Sequence, residues 1–171
     1  MQTCVIPQPT YKAKAEIENI AKRIRDNYFP AHKSTGKALE EMIRTLNGNV
    51  QFIDNHTKAD SIEAKDGSFT IFLPHGTSAV RDNFTIAHEL GHYFLHLKEK
   101  VAETCNEISC NRRGSDRLEW EANWFAAELL MPKDEFKQKA LECGNNHEEL
   151  ADCFGVSSAA ARVRLKSLNL I

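Results

Sequence analysis

The sequence has little of several features that would place it in a specialised class of protein. Its five cysteines are an odd number at irregular spacing without a Cys-x-x-Cys pair, which argues against a disulfide framework and favours reduced thiols. No apolar run approaches the roughly 20 residues of a membrane-spanning helix. The first residues lack the basic and then apolar pattern of a signal peptide. We therefore expect a cytoplasmic protein without a membrane partner.

An excess of positive charge is also missing. The 22 basic and 24 acidic residues leave a formal net charge of −2, so no global basic field would draw the chain to nucleic acid. A hydrophobic content of 42% and a charged content of 27% over 171 residues are ordinary for a soluble globular protein with a buried core. We expect one main domain over residues 1–132 and a C-terminal helical segment, residues 133–171, packed on or beside it.

The most informative stretch, residues 84–96, reads FTIAHELGHYFLH. Within it His88, Glu89 and His92 form an H-E-x-x-H pattern. Residues four apart lie on the same face of an α-helix, so both imidazoles can reach one metal ion. Glu89 then projects beside the ion, where a carboxylate can act on a water molecule. A zinc hydrolase needs this arrangement together with a third ligand from elsewhere in the chain.

The surroundings of the motif favour a helix over a loop. Asp82 or Asn83 is a suitable N-cap, and an apolar stripe runs through the motif. Gly91 weakens the helix by roughly 1 kcal/mol relative to alanine, which suggests that another helix packs closely there. His96 lies about 80° around the helix from His88 and is a poor metal ligand by geometry. The alternative is a buried helix whose histidines are simply hydrogen-bonded.

A second helix is predicted over residues 116–132, which read DRLEWEANWFAAELLMP. Its small residues would let it approach the motif helix closely and bring Glu119 to ligand distance from the two histidines. Asn123, four residues further on, would fall near a ligating imidazole and could accept its other N–H.

Other interpretations of the carboxylates in this helix remain open. Asp116 and Glu119 also fit a reciprocal N-terminal cap, so Glu119 could simply close the start of the helix. Glu121 is an alternative ligand, although it projects away from the small-residue face, which favours Glu119. Glu128 falls on the side of the helix opposite Glu119 and is predicted to be solvated surface.

The remaining pattern predicts further helices and a small sheet. Helical spacing indicates helices over residues 10–28, with Thr10 as the cap, and over residues 35–46. Asp66-Gly67 is a strong two-residue hairpin signal. Three strands are predicted, over residues 49–53, 61–65 and 68–73. An edge strand can hold an extended substrate by backbone pairing, but the sequence does not reveal whether 68–73 is an edge.

Residues 147–168 have the outline of a helix-turn-helix, with a turn at Gly155 between two short helices. As a DNA reader, the second helix would present Arg162, Arg164 and Lys166 to phosphates or bases. So few basic residues on a chain of net negative charge make DNA binding the less favoured interpretation. A helical corner packed on the core, or a docking surface for a protein substrate, is preferred.

Several side chains near the motif have open roles. Tyr93, His75 or Arg81 could stabilise the transition state as a second electrophile, although His75 also reads as a loop residue and Arg81 as a structural ion-pair partner. Residues 98–114 look polar and irregular. Their thiols, Cys105 and Cys110, are better explained as ordinary exposed or half-buried cysteines than as a second metal site.

Taken together, these residues resemble the ImmA/IrrE-type metallopeptidases. The run FTIAHELGHYFLH, followed after a polar segment by EWEANWFAAELLMP, carries the resemblance, and the tail HEELADCFGVSSAAARVRLKSLNL is also similar. The similarity covers roughly residues 35–170. It implies a zincin-like core in which His88, His92 and Glu119 hold zinc and Glu89 is the catalytic base. Members of this family are bacterial or phage proteins, and the best understood cleave helix-turn-helix repressors, in mobile-element induction or stress responses.

The sequence therefore predicts an α+β protein, with a small three-stranded sheet on a zincin-like helical core and a helix-turn-helix-like C-terminal segment. The predicted function is zinc-dependent cleavage of a protein substrate, a helix-turn-helix transcriptional repressor, by attack of a metal-bound water with Glu89 as general base. Manganese or iron would suit the same ligands. The alternative is a non-catalytic, metal-bearing regulator that binds a repressor, an antitoxin or DNA through its C-terminal helices.

Overall fold

The computed structural model describes residues 6–30, 33–100, 108–111 and 116–171, and it has the predicted α+β class. The α-helices are α1 (Lys14–Tyr28), α2 (Thr35–Thr45), α3 (Ala79–His92), α4 (Asp116–Leu130), α5 (Lys133–Glu142), α6 (His147–Phe154) and α7 (Ser158–Ser167). The strands are β1 (Gly48–Ile53), β2 (Ser61–Lys65), β3 (Ser68–Pro74) and β4 (Ile108–Asn111). None of the helices described is long and apolar enough to cross a membrane.

The sheet has four strands rather than the three predicted, in the order β1-β3-β2-β4. β2 and β3 form the expected hairpin, and Asp66 and Gly67 both adopt positive φ angles, of 50° and 74°. This is the backbone that a two-residue turn requires. The additional strand, β4, comes from the segment predicted to be irregular and pairs antiparallel with β2. A strand this short has no readable alternation, and its partner lies more than forty residues away.

The order of the strands shows whether residues 68–73 form an edge of the sheet. β1 pairs with β3 in parallel, and β2 pairs with β3 on the other side. β3 is therefore an interior strand whose backbone groups are already paired, so residues 68–73 cannot hold a substrate by strand addition. The edges of the sheet are β1 and β4.

Two helices begin later or earlier than the sequence predicted. α1 begins at Lys14, and Thr10 lies in the extended segment before it, so Thr10 is not its cap. α3 begins at Ala79, and its N-cap is Ser78, whose hydroxyl accepts a hydrogen bond from the backbone N–H of Arg81. The N-cap of α1 is Ala13, which makes no side-chain capping bond, so the presence of a good capping residue nearby did not fix where that helix begins.

α3 and α4 pack against each other at the small residues of both helices. A Cβ atom added to Gly91 would lie 3.1 Å from the Ala122 Cα and 3.2 Å from the Phe125 Cβ. A side chain at this position would crowd α4, so glycine favours the close approach of the two helices despite its low helix propensity. The same core continues into the C-terminal helices through Phe136 and Leu165.

The ion pair between Glu128 and Arg164 overturns two expectations. Glu128 was predicted to be solvated surface, and Arg164 was a possible DNA contact in the less favoured DNA-binding interpretation. Their side chains are instead 6% and 2% exposed and form an ion pair between α4 and α7. Arg164 Nε also donates to the Met131 carbonyl at 3.1 Å, and Glu128 Oε1 accepts from the Lys133 N–H at 3.2 Å. Helical spacing could not reveal this pairing because the partner lies on another helix.

Replacing Arg164 with alanine should therefore destabilise the fold rather than weaken DNA binding. The change leaves the Glu128 carboxylate buried without its cation, which typically costs about 3–5 kcal/mol. Urea denaturation of the two proteins measures the difference in the free energy of unfolding. Arg162, two residues away and exposed, is the control, and its alanine variant should stay within about 0.5 kcal/mol of wild type. Equal losses in the two variants would contradict the assignment.

Candidate metal centre

Three side chains from α3 and α4 converge on one point. His88 and His92 lie one turn apart on α3, and their Nε2 atoms are 3.0 Å from each other. Glu119, in the first turn of α4, places Oε2 3.2 Å from His88 Nε2 and Oε1 3.3 Å from His92 Nε2. Among the described residues, these three form the group of potential ligands that could hold a metal ion.

Hydrogen bonds to neighbouring residues determine which ring nitrogen of each histidine carries a hydrogen. The atoms of the three groups that face one another are then all acceptors. His88 Nδ1 lies 2.9 Å from the Asn123 amide oxygen. An amide oxygen only accepts, so His88 Nδ1 carries the hydrogen and Nε2 presents a lone pair. His96 donates its Nε2 hydrogen to the Glu121 carboxylate, so its Nδ1 accepts from His92 Nδ1, and His92 Nε2 presents a second lone pair. With the Glu119 carboxylate, three acceptor atoms then face one another, an arrangement that a cation between them would stabilise.

The spacing of these atoms also suits a divalent ion. Tetrahedral ligands about 2.0–2.1 Å from zinc lie roughly 3.3 Å apart. The measured separations of 3.0, 3.2 and 3.3 Å are close to that value. Two imidazoles and one carboxylate are a donor set that catalytic zinc sites use. The residues present therefore fit a metal ion.

Burial and mutual contacts set the charges of the three groups. Burial lowers the pKa of His92 to about 4 despite its hydrogen bond with Glu119, so this imidazole is neutral at neutral pH. Burial opposes ionisation of Glu119, but the two histidines outweigh it and hold the pKa of that carboxyl well below its usual range. Burial also works against a proton on His88, yet the contacts with Glu119 and the charge of Glu89 raise its pKa. The negative field at the site thus favours a bound cation.

His92 is supported by a chain of hydrogen bonds that the sequence did not reveal. Its Nδ1 lies 3.1 Å from His96 Nδ1, and His96 Nε2 lies 3.0 Å from Glu121 Oε2. After α3 the helix widens into a π-helical segment, Tyr93–Leu97. His96 lies within this segment, four residues after His92. The only available sequence signal is the four-residue spacing of the two histidines within an apolar helix.

Glu121 is buried at the end of this chain rather than placed at the metal site. Its carboxylate accepts hydrogen bonds from the Thr10 N–H at 2.8 Å, the Thr10 hydroxyl at 2.9 Å, the Tyr11 N–H at 2.9 Å and Arg117 Nε at 2.9 Å. Burial alone would raise the pKa of this carboxyl, but the hydrogen bonds from Thr10, His96 and Arg117 lower it to about 2. Of the two carboxylates weighed as ligands, the one at the histidines is Glu119.

Comparison with known proteins identifies the family. A profile of the IrrE N-terminal-like domain, a peptidase family, matches residues 43–166. The chain belongs to this family. The resemblance read from the two helical motifs is thereby confirmed.

Two relatives place this IrrE-like domain more closely. It is 38% identical over 87 residues to the metallopeptidase ImmA of Bacillus subtilis, an alignment that covers 50% of this chain and 49% of that protein. A solved structure of a Mycobacterium tuberculosis transcriptional regulator superposes with a TM-score of 0.60 at 19% identity, covering 88% of this chain and 46% of that one. The second likeness concerns the fold alone. The chain spans about half the length of both relatives.

The three candidate transition-state stabilisers of this IrrE-like domain each contact residues outside the candidate ligand group. Tyr93 is buried and packs on Phe69, with ring centroids 4.4 Å apart. His75 is exposed, and its ring lies 5.8 Å from that of Phe52. Arg81 Nη2 donates to Asp60 at 2.8 Å, which makes it an ion-pair partner. Cys105 lies outside the described residues, and Cys110 belongs to β4, so a second metal site there stays untested.

Two adjoining cavities give access to the site. One, of about 310 Å³, is lined by residues of the site and its support: Phe84, Thr85, His88, Glu119 and Asn123. The other is a groove of about 620 Å³ that shares Phe84, Thr85 and Asn123 with it and extends between α4 and α7. Its walls include Trp120, which is 54% exposed, and Val163, which is 66% exposed. A largely apolar groove thus continues from the three candidate ligands.

Proposed function

We propose that this protein is a zinc-dependent endopeptidase with a protein substrate. The observation that carries the proposal is the meeting of three acceptor atoms from His88, His92 and Glu119, with Glu89 next to the first of them in the sequence. Family membership and the name of the ImmA relative support peptidase chemistry. Manganese or iron could occupy the same ligands, because two imidazoles and a carboxylate suit several divalent ions.

The proposed mechanism assigns a separate task to each residue. When bound, the metal ion polarises the scissile carbonyl and lowers the pKa of a water molecule. Glu89 accepts the proton of the attacking water and passes it to the departing amine. Its side chain is buried, and its charge acts on His88, so it lies close to the ligand group. Asn123 orients the His88 imidazole through the 2.9 Å contact at Nδ1.

The proposed substrate is a cytoplasmic helix-turn-helix repressor, in the setting of a prophage or mobile element. The apolar groove between α4 and α7 offers a place for apolar side chains of an extended chain next to the site. The core is proposed to be zincin-like and α6–α7 to be helix-turn-helix-like, with Gly155 in the left-handed conformation between them. With Arg164 buried, that pair of helices is better suited to packing and protein contact than to reading DNA.

Co-expression with the repressor encoded nearby tests the function directly. The intact repressor band should disappear on an immunoblot and be replaced by two fragments whose junction mass spectrometry can identify. A chelator added to the purified proteins should stop the cleavage. A repressor that stays intact with metal-loaded protein present would argue against the peptidase.

The alternative is a regulator that binds without cleaving. The observation in its favour is the exposed surface of α7, where Arg162, Val163 and Lys166 face solvent. A gel shift with the neighbouring promoter DNA, or a stable complex with an intact repressor, would support this function instead.

A further inference from the structure

We propose that Glu121 and His96 are positioning residues for the metal ligand His92, and that the backbone of residues 10–11 is part of the same device. The inference rests on the proposed metal binding, since it concerns how one ligand is held. It uses residues that the peptidase mechanism leaves without a role. They include a fully buried carboxylate and a fully buried imidazole, whose side chains are both 0% exposed.

The chemistry of the groups fixes which atom donates at each hydrogen bond from His92 through His96 to Glu121. A carboxylate only accepts hydrogen bonds, so Glu121 requires the hydrogen of His96 on Nε2. His96 Nδ1 is then an acceptor and takes a hydrogen from His92 Nδ1, 3.1 Å away. His92 Nε2 is therefore left with a lone pair directed at His88 and Glu119. The ionised carboxylate thus selects the metal-binding tautomer of a histidine that it does not touch.

The N-terminal segment, Thr10 and Tyr11, binds the Glu121 carboxylate at the end of these hydrogen bonds. Three of the hydrogen bonds to Glu121 come from Thr10 and Tyr11, and two of them are donated by the backbone. Tyr11 adopts a φ of 56°, in the left-handed region that costs energy for a side chain of this size, while the side chain itself is exposed. The segment is thus shaped to present its N–H groups to the carboxylate rather than to bury its side chains.

The two ligating histidines are therefore supported unequally. His88 relies on one bond to Asn123, a residue at the exposed surface beside the groove. His92 relies on a buried chain that runs through His96 and Glu121 to a segment more than eighty residues earlier in the sequence. Disturbing the N-terminal segment should therefore weaken metal binding even though none of its residues reaches the metal.

Zinc affinity tests this inference without reference to cleavage. Competition with a chromophoric chelator should show affinity about 10–100-fold weaker for Glu121→Gln and for His96→Leu. Thr10→Pro, which removes a backbone N–H and the hydroxyl, should weaken binding in the same direction. The visible absorption of the cobalt-substituted proteins should change in band position for these three variants. Gln8→Ala, an exposed position in the same segment, is the matched control and should bind like wild type.

A conservative replacement separates positioning from packing. In His96→Gln the amide oxygen can accept from His92 while its NH₂ donates to Glu121, so both bonds keep their direction. We expect this variant to recover most of the affinity that His96→Leu loses. If Glu121→Gln fails to fold, as judged by circular dichroism of the metal-free protein, Thr10→Pro and the leucine–glutamine pair carry the test.

The outcomes distinguish this inference from the function on which it rests. Wild-type protein that binds no zinc or cobalt would overturn the proposed metal site, and the inference with it. Wild-type protein that binds zinc, with Glu121→Gln, His96→Leu and Thr10→Pro all within about twofold of it, would overturn the positioning role alone, since removing such a support costs about 10–100-fold.

Discussion

Replacing Glu89 with glutamine should abolish cleavage of the protein substrate and leave the bound metal in place. Glutamine has the size of glutamate but cannot accept the proton of the attacking water. Losing a general base typically reduces a rate by about 10²–10⁴-fold. Glu89 is not a member of the ligand group formed by His88, His92 and Glu119, so the metal content should not change. The rate is measured as disappearance of the intact repressor, and the metal content by atomic absorption on the same preparation.

Measuring the cleavage rate and the metal content together shows whether Glu89 acts as the general base or as a structural support. A variant that lost both metal and cleavage would make Glu89 a structural support of the site rather than its base. A variant that cleaved at the wild-type rate would remove the proposed mechanism altogether. His92→Ala serves as the comparison, since it should lose the metal and the activity together.

The second large effect is expected for Glu119→Ala, which should lose both metal and cleavage. Glu119 is the carboxylate of the candidate ligand group and its member from α4. Without it two imidazoles remain, and two lone pairs 3.0 Å apart hold a divalent ion poorly. The metal content should fall from about one ion per chain to almost none after dialysis, and no fragments should form from the repressor.

Asp116→Ala is the matched control for this change. Both residues lie in the first turn of α4, and each could contribute to capping the helix, which is worth about 1 kcal/mol. If Glu119 acted only as part of a cap, the two variants would be destabilised alike and would both keep the metal. Loss of metal in Glu119→Ala alone separates the ligand from the cap.

The sequence could predict the part of the site that depends on local helix geometry. The spacing of His88 and His92 places them on one face of any α-helix, and the small residues around Gly91 indicate a close neighbour. Those two features indicate Glu119 and Asn123, and in the structure these side chains lie 2.9–3.3 Å from the imidazole nitrogens of the two histidines. The paired motifs also sufficed to name the family, which the profile match confirms.

No sequence pattern predicted the contacts between segments that are far apart along the chain. β4 became a strand by pairing with β2, and the ion pair of Glu128 with Arg164 joins two helices whose patterns each looked ordinary. In the same way, the sequence offered Tyr93 as a candidate second electrophile without indicating what its ring would contact. Its side chain packs on Phe69 instead.

The sequence by itself determined the family, the ligand motif and the helices that carry it, because these depend on residues only a few positions apart. Only the tertiary structure decided which polar groups are buried and what they bind. The chain from Thr10 through Glu121 and His96 to His92 unites residues from three parts of the sequence. His96 lies in a π-helical segment that the periodicity of the sequence did not predict. Burial makes hydrogen-bond partners obligatory, but the identity of each partner follows from how the helices pack.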